Sequence, residues 1–396
     1  MSSPIVIIGA GQSAAQAVAS LRQLGETPPI LIFGDEPHAP YQRPPLSKAF
    51  LAGETTADRL ELKARDFYEE QGADLRLGQP VSAIRLRDRE VETSDGRLWP
   101  YSRLLIATGM RPRPLPLRGT NLAGVHHVRA IRDVEAFRAE LRPGARLVVI
   151  GAGYIGLEAA AKARALGLDV VVLEAAPRVL SRVVSPVVSA FFEARHARAG
   201  VLTLTEARVE AIEGADRATG VTLVDGNTLP ADIVLVAVGG VPNVELAAEA
   251  GLDVADGVVV DAFARTAAPD VYAAGDVANF PSRLYGRRVR LESVQNAIDQ
   301  AKAAAAAMAG APVLYDPTPW FWSDQFDVKL QIAGLSEGHD SSLVQGEPDS
   351  GSFSVEYRRA GRLLAVDSIN APRSHMLARR AIPIDLAGTS EAPAQA

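Results

Sequence analysis

Gly9, Gly11 and Ala14 stand at the spacing G-x-G-x-x-A in GAGQSA, and Gly151, Gly153 and Gly156 repeat it as G-x-G-x-x-G in GAGYIG. Residues of this type at this spacing bind the pyrophosphate of a dinucleotide. The first glycine permits a tight turn, the second lets phosphate approach the backbone, and the small third residue lets helix pack closely on strand. The helix that follows points free N–H groups and its positive dipole end at the phosphates. An acid is then expected after the next strand, to accept from a ribose hydroxyl. Asp35 stands 26 positions after Gly9, behind the intervening Gly34, and Glu174 stands 23 positions after Gly151. A carboxylate at 174 accepts from a free 2′-hydroxyl and repels a 2′-phosphate, which favours NADH over NADPH. Arg178 and Arg182 are near enough in sequence to reach a phosphate, and an ordinary solvated acid at a strand end is the plain alternative for Glu174.

Two such units in one chain suggest two nucleotides brought face to face to exchange electrons. The chain contains no cysteine, so a redox dithiol, a disulfide and a thiolate metal site are all excluded as destinations. Electrons must leave by another route. The balance of 41 basic against 47 acidic residues, a formal charge of −6, offers no general attraction to nucleic acid or to an anionic membrane. A buried-strand pattern begins at Ile5, where a secretory signal would place its basic and apolar regions, and no apolar run approaches the length of a membrane span. The expectation is a soluble, cytoplasmic protein.

The elements that must position these residues read clearly. Residues 5–8 form an aliphatic run broken at Gly9, an alanine-rich helical pattern continues to Leu24, and a second strand follows at 30–33, making one βαβ unit. The same grammar restarts with a strand at 147–150, a helix to Leu166 and a strand at 170–173. Each unit leads into an irregular β segment with a similar closing phrase, RLLIATGMRPR (103–113) and DIVLVAVGGVPN (232–243). This is a coarse internal duplication. Proline enrichment at 112–116 suggests a crossing between domains, and 243–252 the return. A long helix is expected over 293–308 and alternating apolar character over 317–384, while the small polar residues after Ala387 are expected to be disordered. The fold class is α/β, with two Rossmann-like dinucleotide-binding domains and a small α/β C-terminal domain. The boundaries are 1–113 with 244–316, then 114–243, then 317–396.

GAGQSA, RPPLSK (43–48), LLIATG, GAGYIGLEAA, AAGDVA, ESVQNA (292–297) and PWFWSDQ (319–325) together resemble the putidaredoxin reductase type of FAD-dependent ferredoxin reductase, over essentially the whole chain. The resemblance implies a glutathione reductase-like FAD/NAD(P) fold, with a discontinuous FAD domain, an inserted NADH domain and a C-terminal domain over the flavin. It implies that the FAD pyrophosphate lies on Gly9, Gly11 and Ser13, and the adenosine ribose near Asp35. Arg43 would approach the phosphates, Lys48 the isoalloxazine edge and Val81 the adenine. Arg129 would meet the flavin region, Asp276 the ribityl chain, and Val294 would open a helix facing the flavin pyrimidine oxygen. Thr108, Gly109, Ile155, Gly239 and Glu292 are further expected cofactor-binding positions.

Lys48 and Glu158 are expected to form an ion pair beside flavin N5 that opens or shifts as nicotinamide enters. Trp322 would lie near the dimethylbenzene edge and line the electron exit, with Trp320 as packing. Plainer readings stand beside these: Lys48 as a solvated loop lysine, Glu158 as an exposed first-turn glutamate, Asp276 as a turn cap, and the aromatic cluster as core. The implied function is a flavoprotein oxidoreductase that takes hydride from NADH onto FAD. It would pass single electrons to a [2Fe–2S] ferredoxin serving a cytochrome-type monooxygenase or a ring-hydroxylating dioxygenase. Such carriers are usually acidic, so docking would use basic residues, with Arg65, Lys329, Arg373, Arg379 and Arg380 as candidates. The alternatives are another acceptor, such as rubredoxin or monodehydroascorbate, or an NADH-sensing flavoprotein resembling apoptosis-inducing factor.

Overall fold

The computed structural model describes residues 3–387; the segment after Ala387 expected to be disordered lies outside the described residues. Contacts divide the chain into two units, 1–42 with 60–111 and 241–319, and 43–59 with 112–240 and 320–396. In the first unit the strands Ile5–Ile8 and Ile30–Phe33 run parallel and in register, flanked by Arg103–Ile106, Val271–Ala273 and Ala73–Arg76 in one five-stranded parallel sheet. The unbroken aliphatic runs are what a strand buried on both faces requires. Helix Gln12–Gln23 packs against helix Val294–Met308. Their shared core is largely alanine, with Ala14, Ala17, Ala301, Ala304 and Ala305 buried, and such small side chains bring the helices close to each other and to the sheet.

The second unit repeats the plan. Arg146–Ile150 pairs in parallel with Asp169–Leu173 and Ile233–Val236, with Leu202–Leu204 and Val125–His126 at the edges. Helix Tyr154–Ala165 connects the first two of these strands. The tail adds a five-stranded antiparallel sheet in the order Trp320–Gln325, Val328–Gly334, Arg362–Ile369, Ser352–Arg359, Ser341–Glu347, against which helix Pro372–Ala387 packs.

The chain passes between units at 111/112 and 240/241, two and three residues from the boundaries that the sequence suggests. The proline-rich loop differs from the sequence expectation. Residues 43–59, expected within the first domain, group with the second unit, because Ser47 and Lys48 bond Glu158, and Arg43 Nη1 donates to the carbonyl of Arg129 at 2.6 Å.

Candidate functional site

In the first unit the strand Ile5–Ile8 ends at Gly9, where φ is +107° and a Cβ would stand 2.2 Å from the carbonyl oxygen of Ala107. Only glycine fits. Gly11 is the opposite case: no atom lies within 4 Å of its Cβ position, and it precedes helix Gln12–Gln23 without a side-chain cap. The first-turn N–H groups of a helix have no intrahelical partner, and the open space beside Gly11 is of the kind a phosphate fills. Ser13 Oγ donates to the carbonyl of Ala297 at 3.1 Å, so this turn offers a ligand Ser13's backbone rather than its hydroxyl. Ala14 is fully buried. A Cβ on Gly275 would lie 2.5 Å from Ser13 Oγ, which sets the AAGDV phrase, and with it Asp276, beside the same turn.

Asp35 is exposed one residue beyond Gly34. The amides of Gly34 and Glu174 occupy equivalent places, donating to Arg76 and Leu204 of the next parallel strand. A Cβ on Gly34 would meet that of Ala10 at 2.7 Å, which is why the acid of the first unit sits one position later. Thr108 donates to the carbonyl of Asn243 at 2.8 Å and accepts from Asn243 Nδ2 through its own carbonyl at 2.8 Å, while the Asn243 amide donates to Gly109. Val81 opens the strand Val81–Arg85 of a small antiparallel sheet. Val294 opens helix Val294–Met308, capped by Ser293 Oγ accepting from the amide of Asn296. Glu292 is paired with Arg290 at 2.8 Å.

In the second unit Gly151 has φ of +105°, with a would-be Cβ 2.5 Å from the carbonyl oxygen of Ala237, and Gly153 again faces open space ahead of an uncapped helix. A Cβ on Gly156 would stand 2.2 Å from the carbonyl oxygen of Gly151, so the third glycine is set by close helix–strand packing. Ile155 is 47% exposed. The carboxylate of Glu174 accepts from the amides of Ala152 at 2.9 Å and Ala176 at 2.8 Å. A carboxylate offers about four acceptor positions, so capacity remains for a ribose. Arg178 donates to the carbonyls of Val184 and Ser181 and to Ser189 Oγ at 2.6–2.8 Å, holding the loop rather than waiting for a phosphate. Arg182 is exposed, its Nη2 3.6 Å from where a Cβ on Gly239 would stand; the carbonyl of Gly239 accepts from the amide of Arg113 at 2.9 Å.

Glu158 is the hub of this unit. It lies in helix Tyr154–Ala165 at 4% exposure, not on an exposed first turn. Oε2 accepts from Lys48 Nζ at 2.7 Å and Ser47 Oγ at 2.5 Å; Oε1 accepts from Ser323 Oγ at 2.6 Å and, weakly, from the Asp324 amide at 3.4 Å. Strand alternation sorts PWFWSDQ. Phe321, Ser323 and Gln325 share one face, with the Phe321 ring tilted against that of Tyr154 at 4.6 Å between centroids, whereas Trp320, Trp322 and Asp324 share the other. Trp320 lies 5.8 Å from Trp322 and 5.7 Å from His375, with the Arg379 guanidinium over its ring at 4.8 Å. Burial, with the charges of Asp367, Tyr357 and Glu158, pushes the Tyr154 phenol well above its ordinary range.

Sequence reasoning missed Ser47, Ser323 and the clamp residue Asn243. The first two flank singled-out residues in RPPLSK and PWFWSDQ, and that adjacency was the available signal. Of the docking candidates, Arg65 lies in the first unit, while Lys329 and the helix residues Arg373, Arg379 and Arg380 lie in the second. Lys329 faces Asp324 at 3.5 Å. Among the described residues no cluster of His, Cys, Asp and Glu could hold a metal ion, and no helix is long and apolar enough to cross a membrane.

The pyridine nucleotide-disulphide oxidoreductase family model matches residues 3–301, and a reductase C-terminal model matches 320–395. This chain belongs to that oxidoreductase family, in its putidaredoxin reductase-like branch. It is 45% identical over 388 residues to rhodocoxin reductase of Rhodococcus erythropolis, covering 98% of this chain and 91% of that protein. It is 43% identical over 374 residues to putidaredoxin reductase of Pseudomonas putida, covering 93% and 89%. Among solved structures, the covalent putidaredoxin reductase–putidaredoxin complex matches with a TM-score of 0.94 at 42% identity, covering 97% of this chain and 93% of that one. The family brings the α/β fold and oxidoreductase chemistry with it.

Proposed function

We propose that this chain is an NADH-dependent ferredoxin reductase: it binds FAD on the turn at 9–14 and NADH on the turn at 151–156, and passes electrons singly to a [2Fe–2S] ferredoxin that serves an oxygenase. The observation that carries the reading is the meeting of RPPLSK and PWFWSDQ, the two most specific segments, on one buried carboxylate, Glu158. Bound FAD supplies hydride acceptance and the step from two-electron to one-electron transfer.

The chain's residues do the rest. The open faces at Gly11 and Gly153 and the free first-turn N–H groups hold the two pyrophosphates. The acceptor positions left on Glu174 select a free ribose hydroxyl, and a cation that would reward a 2′-phosphate, Arg178, is already engaged. Glu158 holds the Lys48 ammonium at a fixed place and balances its charge, so Lys48 can orient the reacting edge of the flavin without leaving an uncompensated cation. Asp276, Arg43, Arg129, Asp35, Val81 and Val294 contact FAD in this proposal, and Trp322 lines the electron exit. In functional terms, 1–113 with 244–316 serve FAD, including the loop 43–59 whose contacts group it with the second unit, while 114–243 serve NADH and 317–396 form the C-terminal cover. Dependence on the NADH pool supports a cytoplasmic location.

The test is NADH-driven reduction of ferricyanide, then of cytochrome c with and without an added [2Fe–2S] ferredoxin. Cytochrome c reduction that depends on ferredoxin is expected. Fast dye reduction without ferredoxin dependence points to another acceptor, and slow reduction with a persistent charge-transfer band points to an NADH-sensing role.

A further inference from the structure

Behind the Glu158 hub lies a row of buried polar side chains that the proposed function leaves unused. Ser323 and Gln325 are fully buried, and His196, on helix Pro186–Arg198, is 1% exposed. His196 Nε2 lies 2.9 Å from Gln325 Oε1, Gln325 Nε2 lies 3.3 Å from Ser323 Oγ, and Ser323 Oγ lies 2.6 Å from Glu158 Oε1.

Proton counting fixes the direction of this row. A serine hydroxyl has one proton, and the Glu158 carboxylate takes it, so Ser323 Oγ must accept from its other neighbour. Gln325 must therefore present its amide NH2 to Ser323 and its carbonyl oxygen to His196. A carbonyl only accepts, so His196 must carry its proton on Nε2. We infer that His196 is a positioning residue for the reaction, holding the Glu158 carboxylate, and through it Lys48, by a one-way chain of donors running through Gln325 and Ser323. The inference rests on the proposed role of the Lys48–Glu158 pair.

The surroundings of His196 agree. Nδ1 is buried with no hydrogen-bond partner among the described residues, so a proton there would be an unsatisfied buried donor, whereas the Nε2–H tautomer leaves none. Burial lowers the pKa of the ring, the hydrogen bond to Gln325 opposes this and the neighbouring Arg195 adds to it, so the net direction favours the neutral ring. The edge of the ring meets Phe326 at 5.0 Å, and the Arg195 guanidinium covers the same phenyl at 4.3 Å. Phe326 thus packs against the imidazole, and among the described residues the ring's hydrogen bond runs through Nε2. Hydrogen bonds aligned donor to acceptor polarise one another, so a loss at His196 is felt at Glu158, three hydrogen bonds away.

The experiment uses the full-length holoprotein. With 15N-histidine labelling, the His196 resonance, assigned by its loss in His196→Phe, is expected to show a protonated Nε2 and a bare Nδ1 at neutral pH. An Nδ1–H tautomer or a doubly protonated ring overturns the inference. In rapid mixing with NADH, His196→Phe and Gln325→Leu are each expected to slow the limiting rate of flavin reduction about tenfold, with NADH affinity within about twofold and a flavin absorption spectrum showing retained cofactor. His196→Gln, which restores a donor, is expected to recover most of the rate. An undiminished limiting rate in both donor-less variants refutes the positioning role, as does an equal loss in His196→Gln. If those variants do not fold, the resonance is assigned by its loss in His196→Gln, and the tautomer measured in the wild-type protein still decides. Failure to reduce ferredoxin with the tautomer and rates as expected would count against the acceptor assignment alone.

Discussion

Replacing Glu158 with alanine removes the acceptor on which the hub turns, and the cost follows from the donors left behind. Ser47 and Ser323 are buried and lose acceptors at 2.5 and 2.6 Å. An unsatisfied buried donor costs about 1–3 kcal/mol, so the pair costs about 2–6 kcal/mol; rotation of the hydroxyls toward other acceptors sets the expectation at about 2–4 kcal/mol. Lys48 is 17% exposed and keeps the carbonyl of Pro44 at 3.5 Å, so it reaches solvent and adds little of the penalty of a fully buried broken pair. The Asp324 amide, at 3.4 Å, adds almost nothing. Glu158→Gln keeps the volume and offers one acceptor and one donor group to the two hydroxyls, so its stability loss is about 1 kcal/mol, but no charge faces Lys48. The variants thus separate structure from chemistry. Urea unfolding of the holoproteins, followed by flavin fluorescence, is expected to rank wild type above Gln and Gln above Ala. Stopped-flow reduction by NADH is expected to slow at least about tenfold in both. A wild-type unfolding midpoint in Glu158→Ala, or wild-type reduction rates and NADH affinity in both variants, would refute the reasoning.

Gly153→Ala places its methyl in open space at an ordinary φ of −80°, so the fold should survive while NADH binding, measured by titration of the oxidised protein with NAD analogues, weakens about tenfold, or about 1.4 kcal/mol. Gly151→Ala should instead lose stability by more than the ~1–3 kcal/mol of its backbone strain, because its methyl also meets the carbonyl of Ala237 at 2.5 Å. Glu174→Gln should lower the NADH over NADPH preference in kcat/KM about tenfold, the worth of one charge-assisted hydrogen bond; an unchanged ratio would remove Glu174 from the specificity argument. Asp367 is buried with Tyr357 donating to it, and burial raises its pKa from 3.8 to about 7. The folded state therefore binds the extra proton, and the stability this contributes is complete below pH 3.8 and lost as pH rises through about 7. The urea midpoint of the wild type should fall between pH 5 and 8, and Asp367→Asn should flatten that fall.

The nucleotide turns were legible because their constraints are local. An aliphatic run ending in a glycine with no room for a Cβ has few other uses, and the strands Ile5–Ile8 and Ile30–Phe33 begin and end where the pattern places them. Lys48 and Glu158 could be paired, the lysine from the resemblance and the glutamate from its place just after the second glycine turn, and the 2.7 Å contact is present. What surrounds Glu158 was not legible. Helix Tyr154–Ala165 reads YIGLEAAAKARA, with alanines on every side and no apolar stripe to show which face is buried, so an exposed glutamate stood as the plainer alternative to the ion pair. Ser47, Ser323, Gln325 and His196 are of residue types that serve turns and surfaces as readily as buried networks, and their separations along the chain, 111 and 165 positions for the serines from Glu158 and 129 for His196 from Gln325, carry no periodic signal. The proline-rich loop posed the same difficulty: its place in sequence said nothing of the unit it would join, which Glu158, Arg129 and Arg138 decide.

In the proposed reaction electrons pass from the flavin directly to a docked partner, with no sulfur store on the way, since the chain has no cysteine. Anaerobic titration of the holoprotein with NADH, followed by mixing with oxidised [2Fe–2S] ferredoxin, tests it most directly. One NADH per chain should complete the reduction, and the two electrons taken up should then appear as two reduced ferredoxins. Uptake of four electrons per chain, or a reduced protein that leaves ferredoxin oxidised, would contradict it.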